Sequence, residues 1–144
     1  MRSFRVGISA LYLFTTLFLV ACVADATPDS GAAVQALQKY FVALTSKNES
    51  DYTQSICTDW ESQAFLEFDA YQGLELKLTD LSCLATTMKG DEAQVTCQGK
   101  ILLDYGNENQ EVDLSRRVYK LVARDASWQV CGYTERAAGT LWSP

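Results

Sequence analysis

The stretch AQVTCQGKILLDY, residues 93–105, decides the fold. Ala93, Val95, Cys97, Ile101, Leu103 and Tyr105 fall on one side of an extended chain, and Gln94, Thr96, Gln98 and Lys100 on the other. A period of two sustained this long is the signature of a half-buried strand. Turn residues flank it, MKGDE at 88–92 and GNEN at 106–109. Upstream, Leu74, Leu76 and Leu78 alternate with Glu75, Lys77 and Thr79, and the apolar phase then shifts to Leu81, Cys83 and Ala85. An extra residue near Thr79–Asp80, a β-bulge, accounts for the shift. Downstream, 111–123 reads as a third strand, RDAS (124–127) as a turn and WQVCGYT (128–134) as a fourth. Short turns between consecutive strands make an antiparallel meander.

Before Gly73 the period is helical. Val34, Leu37, Phe41 and Leu44, with Tyr40 beside them, predict a helix over about 30–46, capped by Asp29 or Ser30 after Pro28. Asn48 or Ser50 can cap a second. Tyr52, Ile56 and Trp60 recur at i, i+4 and i+8, and the helical pattern continues to Phe68 or Tyr71, where Gly73 ends it. The fold class is α+β: N-terminal helices packed on one face of a curved four-stranded antiparallel meander. The domain spans 31–134, between a small polar tether (22–30) and a loosely ordered tail (135–144) that holds Trp142.

Five cysteines are present, Cys22 at the edge of the N-terminal apolar segment and four in the domain. An even set in an exported chain reads as two disulfides, with three possible pairings. A first hairpin centred on Gly90 sets Cys83 opposite Cys97, within disulfide reach for a non-hydrogen-bonded antiparallel pair. Guessed registers for the other hairpins set Ala123 opposite Trp128, Lys120 opposite Cys131, Leu103 opposite Val112 and Cys97 opposite Val118. Cys131 then shares a face with Cys97, and a helix on that face brings Cys57 to Cys131. Zinc is a poor fit, because the chain has no His and no C-x-x-C. Glu61, Glu67 and Asp69 do not form a calcium loop.

Arg2 and Arg5 precede an uncharged, mostly apolar run from Val6 to Ala21, the layout of a secretory signal over residues 1–21. The chain carries 12 Lys and Arg against 18 Asp and Glu, and losing Arg2 and Arg5 takes the net charge from −6 to −8. No basic stripe is left for nucleic acid. Two cutting signals compete. Ala24-Asp25-Ala26 is an A-x-A site, which would release a soluble chain beginning at Thr27. Leu19-Val20-Ala21-Cys22 resembles the lipobox of bacterial lipoproteins. That resemblance implies lipid on Cys22, with palmitate-type acyl chains anchoring an extracytoplasmic protein to the membrane.

The order of helices then meander resembles the nuclear-transport-factor-2-like (NTF2-like) superfamily, and most of all its small bacterial lipoproteins. DYTQSICTDWESQAF feeds the first strand and YKLVARDASWQVCGY closes the sheet. The resemblance implies a cone with a pocket at its open end. It leaves function open, because that superfamily includes isomerases, dehydratases and non-enzymatic binding domains. Its enzymes commonly pair Asp with His or Tyr, and this chain has no His. Asp69 or Asp104 would serve as a base only if burial raised its pKa. Tyr40, Trp60, Tyr71, Tyr119 and Trp128 are candidate pocket-lining aromatics, though aromatics at such spacings more often belong to a plain core. With no catalytic set and no cofactor implied, the expectation is a lipid-anchored, non-catalytic binding or accessory domain of the cell envelope. Its protein or small-molecule partner is not identified by the sequence. The alternatives are a small pocket enzyme and a soluble secreted form.

Overall fold

Asp29 starts the first helix, its carboxylate accepting from the Gly31 amide at 2.8 Å in this computed structural model, which describes residues 29–136. Helix α1 spans Ser30–Thr45 and buries Ala33, Leu37, Tyr40, Phe41 and Leu44. Asn48 caps the short helix α2, Glu49–Ser55, by accepting from the Asp51 amide.

The single helix expected from Tyr52, Ile56 and Trp60 is in fact broken. Ile56 is extended and forms a parallel bridge to Val130, and the Cys57 amide donates to the Val130 carbonyl at 2.9 Å. A backbone donor taken by the sheet edge cannot also serve a helix. A 3-10 turn, Thr58–Trp60, then leads into helix α3, Glu61–Ala70.

Five strands follow: β1 Glu75–Lys89, β2 Glu92–Asp104, β3 Asn109–Asp113, β4 Arg117–Arg124 and β5 Ser127–Glu135. The strand expected at 111–123 is two pieces, corrected by a 3-10 turn at Leu114–Arg116 that points Leu114 into the core. Asp113 holds that turn, accepting from the Ser115 amide at 2.9 Å and the Ser115 hydroxyl at 2.7 Å. The sheet runs β1-β2-β4-β5, and β3 pairs with the C-terminal half of β2. Thus β2 carries β4 along Glu92–Thr96 and β3 along Lys100–Asp104.

The registers of β3 and β4 on β2 also differ from the expected ones. Thr96, not Cys97, faces Val118, and Leu103 faces Gln110 rather than Val112. Ala123 does face Trp128. Toward the other end of β5 the register slips by one. Tyr119 faces Tyr133 and Leu121 faces Val130, so Cys131 and Gly132 share the place opposite Lys120, with Gly132 at φ +130°. The β1 bulge sits where the phase shift placed it, between Thr79 and Ser82. Gly99 makes it possible: a Cβ there would stand 2.6 Å from the Thr79 carbonyl oxygen.

Cys83 faces Cys97 across β1 and β2 in a disulfide, with Cα atoms 4.0 Å apart. Cys57 and Cys131 form the second, with Cα atoms 4.9 Å apart, tying the segment after α2 to β5. The core fills the concave side of the sheet, where Leu37, Phe41, Tyr52, Val95, Tyr119 and Val130 are fully buried or nearly so.

Candidate functional site

Alternation along β4 points Tyr119 and Leu121 inward, and Arg117 lies on the same face at the strand's start. A guanidinium turned toward the core needs a counter-ion. Helix α3 supplies Glu67: Arg117 Nη1 donates to Glu67 Oε1 at 2.8 Å, with the two side chains only 13% and 14% exposed. Glu67 collects two further donors, the Tyr71 hydroxyl to Oε1 at 3.5 Å and the Tyr40 hydroxyl to Oε2 at 3.3 Å. One carboxylate therefore joins α1, α3 and β4.

Aromatic rings enclose this pair. The Arg117 guanidinium lies 4.0 Å from the centre of the Tyr133 ring, a cation–π contact. Trp60 meets Tyr133 edge-on, and Tyr119 packs against Tyr40, Phe41 and Tyr133. Tyr52 donates its proton to the Ala64 carbonyl at 2.9 Å. The Tyr40 proton is then divided between Glu67 and the Tyr52 oxygen, 3.4 Å away. The Tyr119 hydroxyl is buried with no hydrogen-bond partner among the described residues.

Burial is the largest cause of the upward pKa shift at each of these phenols, and the Glu67 charge adds to it. Tyr71 is pushed up to about 12. Burial works against the Arg117 charge, but the charge of Glu67 and its hydrogen bond outweigh burial and hold the guanidinium protonated. Chemically the cluster is a neutral set: one carboxylate, one cation and a shell of protonated phenols. Glu67 accepts one short bond, from Arg117 at 2.8 Å, and two longer ones from phenols, so its firmest partner is the guanidinium.

Of the aromatics expected to share a pocket, Tyr40, Tyr71 and Tyr119 surround this pair and Trp60 flanks it. Trp128 does not join them. It sits beside α1 and α2, under a surface groove, because it belongs to the opposite end of β5 from Tyr133. Asp69 is exposed near the end of α3, and Asp104 is exposed and accepts from the Gly106 amide in a turn. Neither reaches the cluster. Cys22, the Ala24–Ala26 cutting signal and Trp142 lie outside the described residues. The sequence reading missed Glu67 as a partner, and missed Arg117, Tyr52 and Tyr133. Arg117 left one signal, its alternation in phase with Tyr119.

No family model matches the chain, and no curated protein matches it by sequence. Solved structures do. A protein from Streptomyces avermitilis, provisionally described as a dehydratase of the NTF2-like family, is 15% identical with a TM-score of 0.52, over 73% of this chain and 92% of its own. A SEC-C motif containing protein from Rhodopseudomonas palustris is 11% identical with a TM-score of 0.52, over 76% and 83%. A Shewanella frigidimarina protein provisionally described as a ketosteroid isomerase is 16% identical, over 75% and 95%, with a TM-score of 0.48. At such identities the likeness speaks to architecture alone. The three helices and the curved antiparallel sheet share their fold with these structures, one of them described as a member of the NTF2-like family.

Proposed function

We propose that this is a lipid-anchored, non-catalytic binding domain of the bacterial cell envelope, tethered outside the cytoplasm through an acylated Cys22. The observation that carries the non-catalytic part is the engagement of Glu67. The Glu67 carboxylate is held by Arg117, Tyr71 and Tyr40, with its side chain 14% exposed. The interior around it is filled, with Tyr40 and Tyr119 no more than 1% exposed. The anchor rests on Leu19-Val20-Ala21-Cys22 and on the apolar run before it. Two acyl chains hold a protein at a membrane where one does not, so no basic patch is needed on an acidic domain.

A second reading, a small pocket enzyme, draws support from Glu67 standing among protonated phenols. It also draws on the provisional naming of the Streptomyces avermitilis protein as a dehydratase. It gains ground if purified protein shows a turnover that Glu67→Gln removes without unfolding the chain.

The experiment for the first reading is an intact mass of the mature protein made in a bacterium from the full chain. The expected result is a chain beginning at Cys22 that carries acyl mass, with that mass absent in Cys22→Ala. An unmodified chain beginning at Thr27 overturns the anchor.

A further inference from the structure

A groove of about 960 Å³ runs along the outer face of α1, well apart from the Glu67 cluster. One wall is α1, the other is α2, and the β4–β5 turn closes one side. Its floor combines the small side chains Ala32, Ala36 and Ala43 with Trp128, which is 9% exposed. From Ala32 to Ala43 the helix rises about 16 Å. A hydrogen bond from Gln129 Nε2 to the Gln54 carbonyl at 3.4 Å ties α2 to β5 and helps set the width.

The polar groups on its rim are mixed in kind and balanced in charge. Gln35 and Gln38 of α1 line it, each with an amide that donates and accepts. Lys39 and Asp51 contribute one charge of each sign. Asp51 Oδ2 accepts from Asn48 Nδ2 at 2.7 Å, which leaves Oδ1 as an acceptor. Ser55 and Ser127 spend their protons on the carbonyls of Tyr52 and Arg124, at 2.7 and 3.0 Å, so their oxygens meet the groove as acceptors. A ligand that satisfies this set needs many groups that donate and accept at once, and no net charge. Sugar hydroxyls have that chemistry.

Peptide recognition is the poorer match. It uses a strand edge for main-chain pairing or a deep apolar trough for helix anchors. These walls are helices and a turn, and the larger apolar side chains in the lining are only Trp128, 9% exposed, and Val42 on α1. We infer that the groove binds a short neutral oligosaccharide, laid along α1 over Trp128 and held by Gln35, Gln38 and Asp51. This inference stands whether or not Cys22 carries lipid, and it does not involve Glu67.

The test is calorimetric titration of the purified mature protein with two neutral trisaccharides, chitotriose and maltotriose, and with an uncharged tetraalanine peptide blocked at both ends. The expected result is saturable millimolar or tighter binding of at least one sugar. The double change Gln35→Ala/Gln38→Ala weakens it by about tenfold or more, and Ala36→Leu, which narrows the floor, does the same. Glu111→Gln, an exposed change on β3 away from the groove, leaves it unchanged. Circular dichroism melts confirm that each variant is folded. The Gln pair is on the surface, so it remains informative if Ala36→Leu does not fold. Absence of saturable sugar binding overturns the inference. So does sugar binding that the Gln35/Gln38 change leaves intact, or preference for the peptide over both sugars.

Discussion

At the scale of single residues, the tyrosines record the cost of burying a charge. Tyr40, Tyr52, Tyr71, Tyr119 and Tyr133 all have raised pKa values in the fold. Below the unfolded value of about 10 both states hold the phenolic proton, and these groups do not change stability with pH. Above it the unfolded chain loses protons that the folded chain keeps, so stability falls as pH rises. The expected outcome is a flat melting temperature up to about pH 10, then a decline as pH climbs toward the folded value of about 12 for Tyr71. Tyrosinate absorbance followed beside near-UV circular dichroism checks it. The buried phenols are expected to ionise together with the loss of tertiary signal, and a full tyrosinate titration with the fold intact would refute the assignment. Before the strands are paired, nothing local separates a core tyrosine from a pocket tyrosine. The spacings of Tyr40, Tyr71 and Tyr119 fit both roles, and their partner Glu67 is 50 residues from Arg117.

At the scale of elements, the Glu67–Arg117 pair is the polar joint between α3 and β4. Removing one partner of a largely buried pair leaves the other charge without compensation. Glu67→Gln and Arg117→Met are each expected to cost about 2–4 kcal/mol. The double variant is expected to lose less than the two single losses added, by about 1–2 kcal/mol. Urea unfolding of all four proteins gives that coupling, and strict additivity would remove the joint. The sequence made some elements legible and hid others for physical reasons. The β2 strand and the β1 bulge announce themselves because burial on one face imposes a period of two. The cap at Asp29 and the span of α1 follow from local chemistry. The break at Ile56–Cys57 comes instead from a hydrogen bond to Val130, far along the chain. The split at Leu114 belongs to the sheet's curvature, which gives β2 different partners along its two halves. Beyond the split the expected β2–β4 register is off by one residue, so Arg117 and Tyr119, rather than Val118 and Lys120, share the inner face.

At the scale of the whole molecule, two bridges divide the work unequally. Cys57–Cys131 closes a separation of 74 residues and Cys83–Cys97 one of 14. Loop-closure entropy favours the longer bridge by about 1.5 kcal/mol. Changing Cys57 and Cys131 together to Ala is therefore expected to lower the melting temperature more than changing Cys83 and Cys97 together. The reverse order would show that the short bridge holds the sheet in a way chain entropy does not capture. The long bridge also encloses the short one, and this nesting bears on how the chain matures. On the proposed route of export from the N-terminus, the first two domain cysteines to meet an oxidant are Cys57 and Cys83, which the finished fold does not join. Cys131 is the last to arrive. An oxidase acting on thiols in order of appearance makes the wrong link first, and native pairing then requires exchange through a mixed disulfide. A cell lacking disulfide isomerase should accumulate the 57–83 isomer, visible by peptide mapping under non-reducing conditions. On the proposed export route, maturation of this small domain is therefore expected to need a proofreading partner that its finished structure never touches.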